Sequence, residues 1–145
     1  MVTASAGFEI LDHPADMGFR AWSPSLDDLF AQSALALTST LTDCGQIANE
    51  RAQTVDLSAP DLETLMYNWL SEILFLFDGD GLLLGKYQVT ISDRDGGKAL
   101  SAVLSGEGYD SRKHEIRTYV KAITFHQMRI ELRESQWSAT VFLDI

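Results

Sequence analysis

The side chains best suited to chemistry lie near both ends of the chain. Asp12 and Asp16 flank a His-Pro-Ala step at residues 13–15, and Asp144 precedes the last residue, Ile145. A proline fixes its own φ and disfavours helix in the residue before it, so we expect a shaped loop between two strands here. If the strands at the two ends are neighbours, Asp16, Asp144 and the α-carboxylate of Ile145 converge. Such an all-oxygen cluster suits a hard divalent cation, Ca²⁺ or Mg²⁺.

Each of these acids also has an interpretation without a metal. An Asp in a tight connection commonly accepts hydrogen bonds from nearby backbone N–H groups. Spacing alone favours that turn interpretation for Asp12 and, by a smaller margin, for Asp16. Asp144 is harder to explain in this way, because adjacent like charges repel each other unless something positive lies between them.

Lys121 and His126 begin and end a second informative segment, K-A-I-T-F-H. Its β-type residues predict a strand that turns Lys121 toward an apolar face, where an ammonium needs an anionic partner such as one of the acids above. A lysine that extends from a sheet edge into water is the alternative. His126 is a candidate metal ligand or acid–base group, although a single His in a strand is more often packed or hydrogen-bonded.

Composition limits the classes of protein to consider. The chain has 145 residues, 46% of them hydrophobic, which predicts one domain over residues 1–145 with a real core. The formal net charge of −10 opposes binding to phosphate backbones, so we expect no direct nucleic-acid binding. The single cysteine, Cys44, excludes an internal disulfide. Without a signal peptide or a membrane-spanning apolar run, we expect a cytoplasmic protein with no membrane contact.

The elements that position these residues can be predicted from periodicity. Ser25 predicts a helix start, because apolar residues recur at intervals of three and four from there to Leu41. A second, more apolar helix is predicted to open at residues 59–61, with Pro60 in its first turn, and to reach Phe77.

Alternating apolar residues predict strands elsewhere in the chain. Two of them form a hairpin at 86–91 and 99–104, and the others lie at 8–11, 17–22, 54–57, 118–124, 127–132 and 137–143. The glycines of 106–109 are expected to break the strand pattern, and the polar residues 110–117, with His114, to form a mobile loop. The predicted fold class is α+β, with two helices packed on one side of a largely antiparallel sheet.

Three separated motifs can be read along the chain: L-D-H-P-A-D-M-G-F-R-A-W, K-A-I-T-F-H-Q-M and the terminal W-S-A-T-V-F-L-D-I. The first helix reads S-L-D-D-L-F-A-Q-S-A-L-A-L. Together they closely resemble the archease family. Pro14 and Phe125 depart from the family pattern, where Thr and Tyr are usual. The resemblance implies a protein cofactor of an RtcB-type RNA ligase. That ligase joins 3′-phosphate or 2′,3′-cyclic-phosphate ends to 5′-hydroxyl ends in tRNA splicing or RNA repair.

The resemblance also implies what the site residues do. The cofactor would promote GTP-dependent guanylylation of the ligase, and so its multiple turnover. The family's metal site falls on Asp16, Asp144 and Ile145, with Ca²⁺, or else Mg²⁺ or Mn²⁺, as the ion. Lys121 matches a further residue implicated in activation, and we assign Asp12 and His13 to shaping the loop.

Two other classes of function remain open at this point. One is an independent metal-dependent hydrolase that uses Asp16, Asp144 and His126. The other is a chaperone-like binding module that uses the apolar second helix. No Ser-His-Asp order, Cys-x-x-Cys pair or phosphate-binding glycine loop is visible, so the motifs by themselves do not indicate an enzyme.

Overall fold

The computed structural model describes residues 5–12 and 17–145. This part of the chain contains two α-helices and eight strands. The helices are α1 (Leu26–Leu41) and α2 (Leu62–Asp80). The strands are β1 (Gly7–Asp12), β2 (Met17–Ser23), β3 (Arg51–Ala59), β4 (Leu82–Arg94), β5 (Gly97–Gly108), β6 (Ala122–Ile123), β7 (Arg129–Arg133) and β8 (Gln136–Asp144). The predicted α+β class is confirmed.

The strands form two antiparallel sheets, where the sequence predicted one. In the first sheet the order is β1-β2-β8-β6, and β7 also pairs with β8. The second sheet has the order β3-β5-β4. The alternation of apolar and polar residues indicates which side of a strand is buried, but it does not indicate which strands pair. Pairing between residues far apart in the chain places these strands in two separate sheets.

Both helices begin at side-chain caps. Ser25 accepts a hydrogen bond from the backbone N–H of Asp28 at 3.0 Å, as expected for the start of α1. Asp61 caps α2 by accepting from the Thr64 N–H at 2.7 Å, and this bond lowers the pKa of the Asp61 carboxyl. Pro60 therefore precedes the cap, and the prediction that it lies in the first helical turn is wrong.

The core lies where the helices meet both sheets. Helix α1 contacts β2 and β4, which belong to different sheets, and α2 contacts β3 and β6. Trp69 of α2 is fully buried, and its indole N–H donates to the Phe30 carbonyl of α1 at 3.0 Å. The apolar side of α2 is therefore part of the core, and the described helices include none that is long and apolar enough to cross a membrane.

Strand β5 continues through the glycines that were predicted to interrupt it. At Gly106 a Cβ atom would lie 1.9 Å from the Leu83 carbonyl oxygen of β4, so only glycine permits this close approach of the two strands. The predicted strand at 118–124 is, in contrast, reduced to the two residues of β6. The rest of the 118–124 segment is held by individual contacts, among them those of the buried side chain of Val120.

Candidate functional site

The end of β8 brings together residues that are far apart in the sequence. Leu143 pairs with Met17 of β2 on one side and with Ile123 of β6 on the other. One residue further, the Asp144 carbonyl accepts a hydrogen bond from the Lys121 N–H at 2.7 Å. The predicted proximity of the N-terminal strands, the 121–126 segment and the chain end is therefore found.

Strand alternation turns Asp144 away from the core. Leu143 is buried, whereas Phe142 is half-buried and Asp144 is exposed. The Phe142 ring lies over Gly18, where a Cβ atom would come within 2.9 Å of it. Ile145, 51% exposed, extends past the end of the sheet. Neither Asp144 nor Lys121 has an ion-pair partner among the residues that the structure describes.

A cavity of about 280 Å³ opens beside these residues, and His126 lines it together with Asp144. The complete lining is Met17, Thr124, His126, Phe142, Leu143, Asp144 and Ile145. The Thr124 hydroxyl donates to the Phe142 carbonyl at 3.0 Å and accepts the His126 N–H at 3.2 Å, which fixes the backbone at this corner. The imidazole itself is exposed, so His126 is not a packed core residue.

The N-terminal part of the predicted site is described only in part. Asp12 is exposed at the end of β1 and pairs with Met17. His13 and Asp16 lie outside the described residues. Within 5–12 and 17–145, no three side chains of His, Cys, Asp or Glu are grouped as metal ligands. The proposed cluster needs Asp16, so it stays a prediction.

Lys121 is exposed at a surface cleft. The cleft, of about 240 Å³, lies between α2 and the start of β6, and Asp78 also lines it. Because β6 is so short, Lys121 precedes the strand and its ammonium stays in water. The interpretation of Lys121 as a lysine at a sheet edge fits this position better than a buried ion pair.

Glu107 marks a polar cluster that the sequence did not predict. Its buried carboxylate accepts from the Lys113 ammonium at 2.7 Å, from the Ala48 N–H at 2.7 Å and from the His114 ring at 3.0 Å. The Lys113 hydrogen bond is the main cause that lowers the pKa of Glu107 to about 2, followed by the bonds from Ala48 and His114.

His114 completes this cluster with a fixed tautomer. Its Nδ1 accepts the Asp110 N–H at 2.9 Å, so the ring proton sits on Nε2 and points to Glu107. His114 is only 2% exposed. Residues 110–117 form a loop, as predicted, but the buried His114 anchors it, so the prediction that the loop is mobile is wrong. A Glu and a His seven residues apart carry no spacing signal that could have indicated this pair.

These features define a class: a small α+β protein of two antiparallel sheets, with exposed acidic groups at the end of its last strand. The sequence profile of the archease protein family matches residues 8–145. The chain belongs to the archease family.

Named relatives agree with this assignment. Protein archease of Methanosarcina acetivorans is 38% identical over 139 residues, which are 95% of each chain. Protein archease of Pyrococcus furiosus is 37% identical over 139 residues, covering 95% of this chain and 98% of the relative.

Two solved structures share the fold. The solution structure of Methanobacterium thermoautotrophicum protein 1598 is 35% identical, with a TM-score of 0.84 over 96% of this chain and 99% of the other. The crystal structure of an archease from Thermotoga maritima, described as a possible chaperone, is 14% identical and has a TM-score of 0.52, over 94% of this chain and 96% of that one. At that identity the second comparison concerns the fold alone.

Proposed function

We propose that this protein is a non-catalytic cofactor of an RtcB-type RNA ligase. In this role it promotes the GTP-dependent guanylylation of the ligase, and so lets each ligase molecule join many 3′-phosphate or 2′,3′-cyclic-phosphate ends to 5′-hydroxyl ends in tRNA splicing or RNA repair. Membership of the archease family over residues 8–145 supports this role. The net charge of −10 also fits a cytoplasmic protein that acts on another protein and does not bind RNA directly.

The working end in this proposal is the acidic pole, formed by the carboxylates of Asp16, Asp144 and Ile145. The single observation that carries it is the pairing of Met17 with Leu143. Asp16 directly precedes Met17 and Asp144 directly follows Leu143, so in an antiparallel pair both acids belong to the same end. We assign Asp12 and His13 to shaping the intervening loop.

A divalent cation fits the donor set of the acidic pole. Asp144 is exposed and has no ion-pair partner among the described residues, so its carboxylate oxygens remain available. Carboxylate oxygens are the ligands that Ca²⁺, Mg²⁺ and Mn²⁺ prefer, and we propose Ca²⁺ first. When bound, such an ion offsets negative charge that develops on phosphoryl oxygens.

Lys121 adjoins the acidic pole through its backbone. Its N–H donates to the Asp144 carbonyl, and the residue also lines the neighbouring cleft. An exposed ammonium without a partner among the described residues can bind an anionic group of the ligase complex, a phosphate or a carboxylate. Lys121 is therefore the activation residue that we expect to act together with the pole.

The decisive experiment is RNA ligation by the purified RtcB-type ligase of the same host, with RNA in excess, GTP and a divalent metal. We expect many ligations per ligase with the wild-type protein, and one or fewer without it or with Asp16→Ala or Asp144→Ala. Asp56→Ala, which removes an exposed acid from β3, is the matched control and should activate fully. Activation by Asp144→Ala at the wild-type level would rule out the pole as the working end.

The hydrolase alternative has one observation in its favour, the cavity that His126 shares with Asp144. It predicts that the purified protein alone, with metal, cleaves a phosphodiester such as bis(p-nitrophenyl) phosphate, and that His126→Ala abolishes this cleavage. The chaperone-like alternative has less support, because most of the apolar side chains of α2 are buried in the core, with Phe75 as the exposed exception.

A further inference from the structure

Exposed apolar side chains gather around the segment that contains Lys121. Phe75 of α2 is 62% exposed, Tyr119 is 60% exposed and Phe125 is 52% exposed. Tyr119 and Lys121 both face solvent on either side of the buried Val120. Phe75 lines the same cleft as Lys121, and aromatic side chains exposed to this extent are typical of an interaction surface.

The aromatic cleft lies at the centre of this group, and we define it by Tyr67, Ser71, Phe75, Asp78, Lys121 and Ala122. The four α2 residues are spaced by four, four and three positions, so they share one helical face. Phe125 stacks on Tyr67 with ring centroids 4.1 Å apart and an interplanar angle of 10°, which extends the apolar surface along the helix.

The charge around the aromatic cleft selects the kind of partner. Helix α2 contains four acids, Glu63, Glu72, Asp78 and Asp80, and neither Lys nor Arg. Of these acids Asp78 lines the cleft, together with the base Lys121. The excess of acid on α2, together with the net charge of −10, repels phosphate backbones, anionic membranes and a second copy of the chain. A protein surface that carries apolar residues, Lys or Arg opposite the α2 acids and Asp or Glu opposite Lys121 has the complementary charge and can bury the rings.

We propose that the aromatic cleft is the docking surface for a partner protein, and that it binds a patch of apolar residues with Lys or Arg opposite the acids of α2 and Asp or Glu opposite Lys121. The inference rests on the proposed function, in which this partner is the RNA ligase. The cleft and the acidic pole adjoin through the pairing of Ala122 with Asp144, and Lys121 belongs to both. The α2 side chains of the cleft set how tightly the partner is held, whereas the pole, together with Lys121, sets what happens once it is bound.

Phe75→Lys tests the docking surface, because it removes an exposed ring and opposes a basic partner without disturbing the core. We would titrate the protein into the purified ligase and measure both the half-saturating concentration for ligation and the plateau rate. Phe75→Lys should raise the half-saturating concentration at least about tenfold and leave the plateau unchanged. Phe75→Ala, which adds no charge, should raise it by a smaller factor.

Leu132→Lys is the matched control. Leu132 is 54% exposed and pairs with Trp137 at the opposite end of β8, far from the cleft. This substitution adds the same charge at a comparably exposed apolar position. The half-saturating concentration for ligation should therefore stay at the wild-type value.

The outcomes separate this inference from the proposed function. Equal half-saturating concentrations for wild type, Phe75→Lys and Leu132→Lys would overturn the docking surface and leave the activator role standing. A lowered plateau with unchanged half-saturation would also overturn it, since that is the result expected for Asp144→Ala. If the wild-type protein neither binds nor activates the ligase, the proposed function fails and the docking inference fails with it.

Discussion

Glu107 shows how one residue can fix a whole segment. It is 7% exposed, and its carboxylate accepts one hydrogen bond each from the Ala48 N–H, from Lys113 and from His114. A buried carboxylate is costly unless donors surround it, and here all three contribute to lowering its pKa. Glu107 therefore anchors the segment that leads toward Lys121.

Stability should depend on pH through Glu107. Its pKa is about 2 in the folded state against an ordinary 4.5, so the unfolded chain takes up a proton first as the pH falls. The stabilisation is fully present above about pH 4.5 and is lost between there and about pH 2. Urea midpoints measured across this range should therefore fall more steeply for the wild type than for Glu107→Gln. Glu134→Gln, at an exposed turn, should follow the wild-type curve.

At the scale of elements, α1 is joined to β4 by a buried polar contact. The Thr38 hydroxyl lies 2.9 Å from the Leu84 carbonyl and 2.7 Å from the Tyr87 hydroxyl. Burial raises the pKa of Tyr87, so the phenol stays neutral and donates to the same carbonyl at 2.9 Å. The contact lies at the irregularity in β4 between Leu84 and Lys86, where regular strand pairing with β5 is interrupted.

Thr38→Val should weaken this junction. The valine keeps the shape of the side chain but leaves the Tyr87 hydroxyl with one partner fewer, at a cost of about 1–3 kcal/mol in the free energy of unfolding. Urea denaturation followed by tryptophan fluorescence would measure the loss. Thr90→Val, at an exposed position of β4, should change the free energy of unfolding by less than about 0.5 kcal/mol.

At the scale of the whole molecule, the net charge of −10 concentrates cations at the protein surface, and the acidic pole is where we expect one to bind specifically. Binding to the folded state alone stabilises it by about 2.7 kcal/mol when free metal is about 100 times its Kd.

Calcium should therefore raise the Tm of the wild-type protein by several degrees relative to NaCl of equal ionic strength. Asp144→Ala should lose this shift and Asp56→Ala should keep it. An equal rise in Tm in both variants would mean that the effect comes from diffuse surface charge, and it would contradict a metal site at the acidic pole. This measurement requires no ligase, so it tests the site apart from the function.

The sequence by itself determined the features that depend on local periodicity. The cap at Ser25, the apolar stripe of α2, the hairpin of β4 and β5 and the final strand all follow from the spacing of apolar and turn residues. The motif around residues 11–22 and the terminal V-F-L-D-I also indicated the archease family, which the profile match over 8–145 confirmed.

Only the tertiary structure decided which distant residues meet. The division into two sheets, the position of Lys121 at a cleft against α2 and the burial of His114 on Glu107 each depend on contacts between residues far apart in the chain. Local patterns report which side of an element is apolar, whereas pairing and docking are set by the free energy of the whole packed core. For that reason 110–117 resembled a polar loop in the sequence and is an anchored segment in the fold.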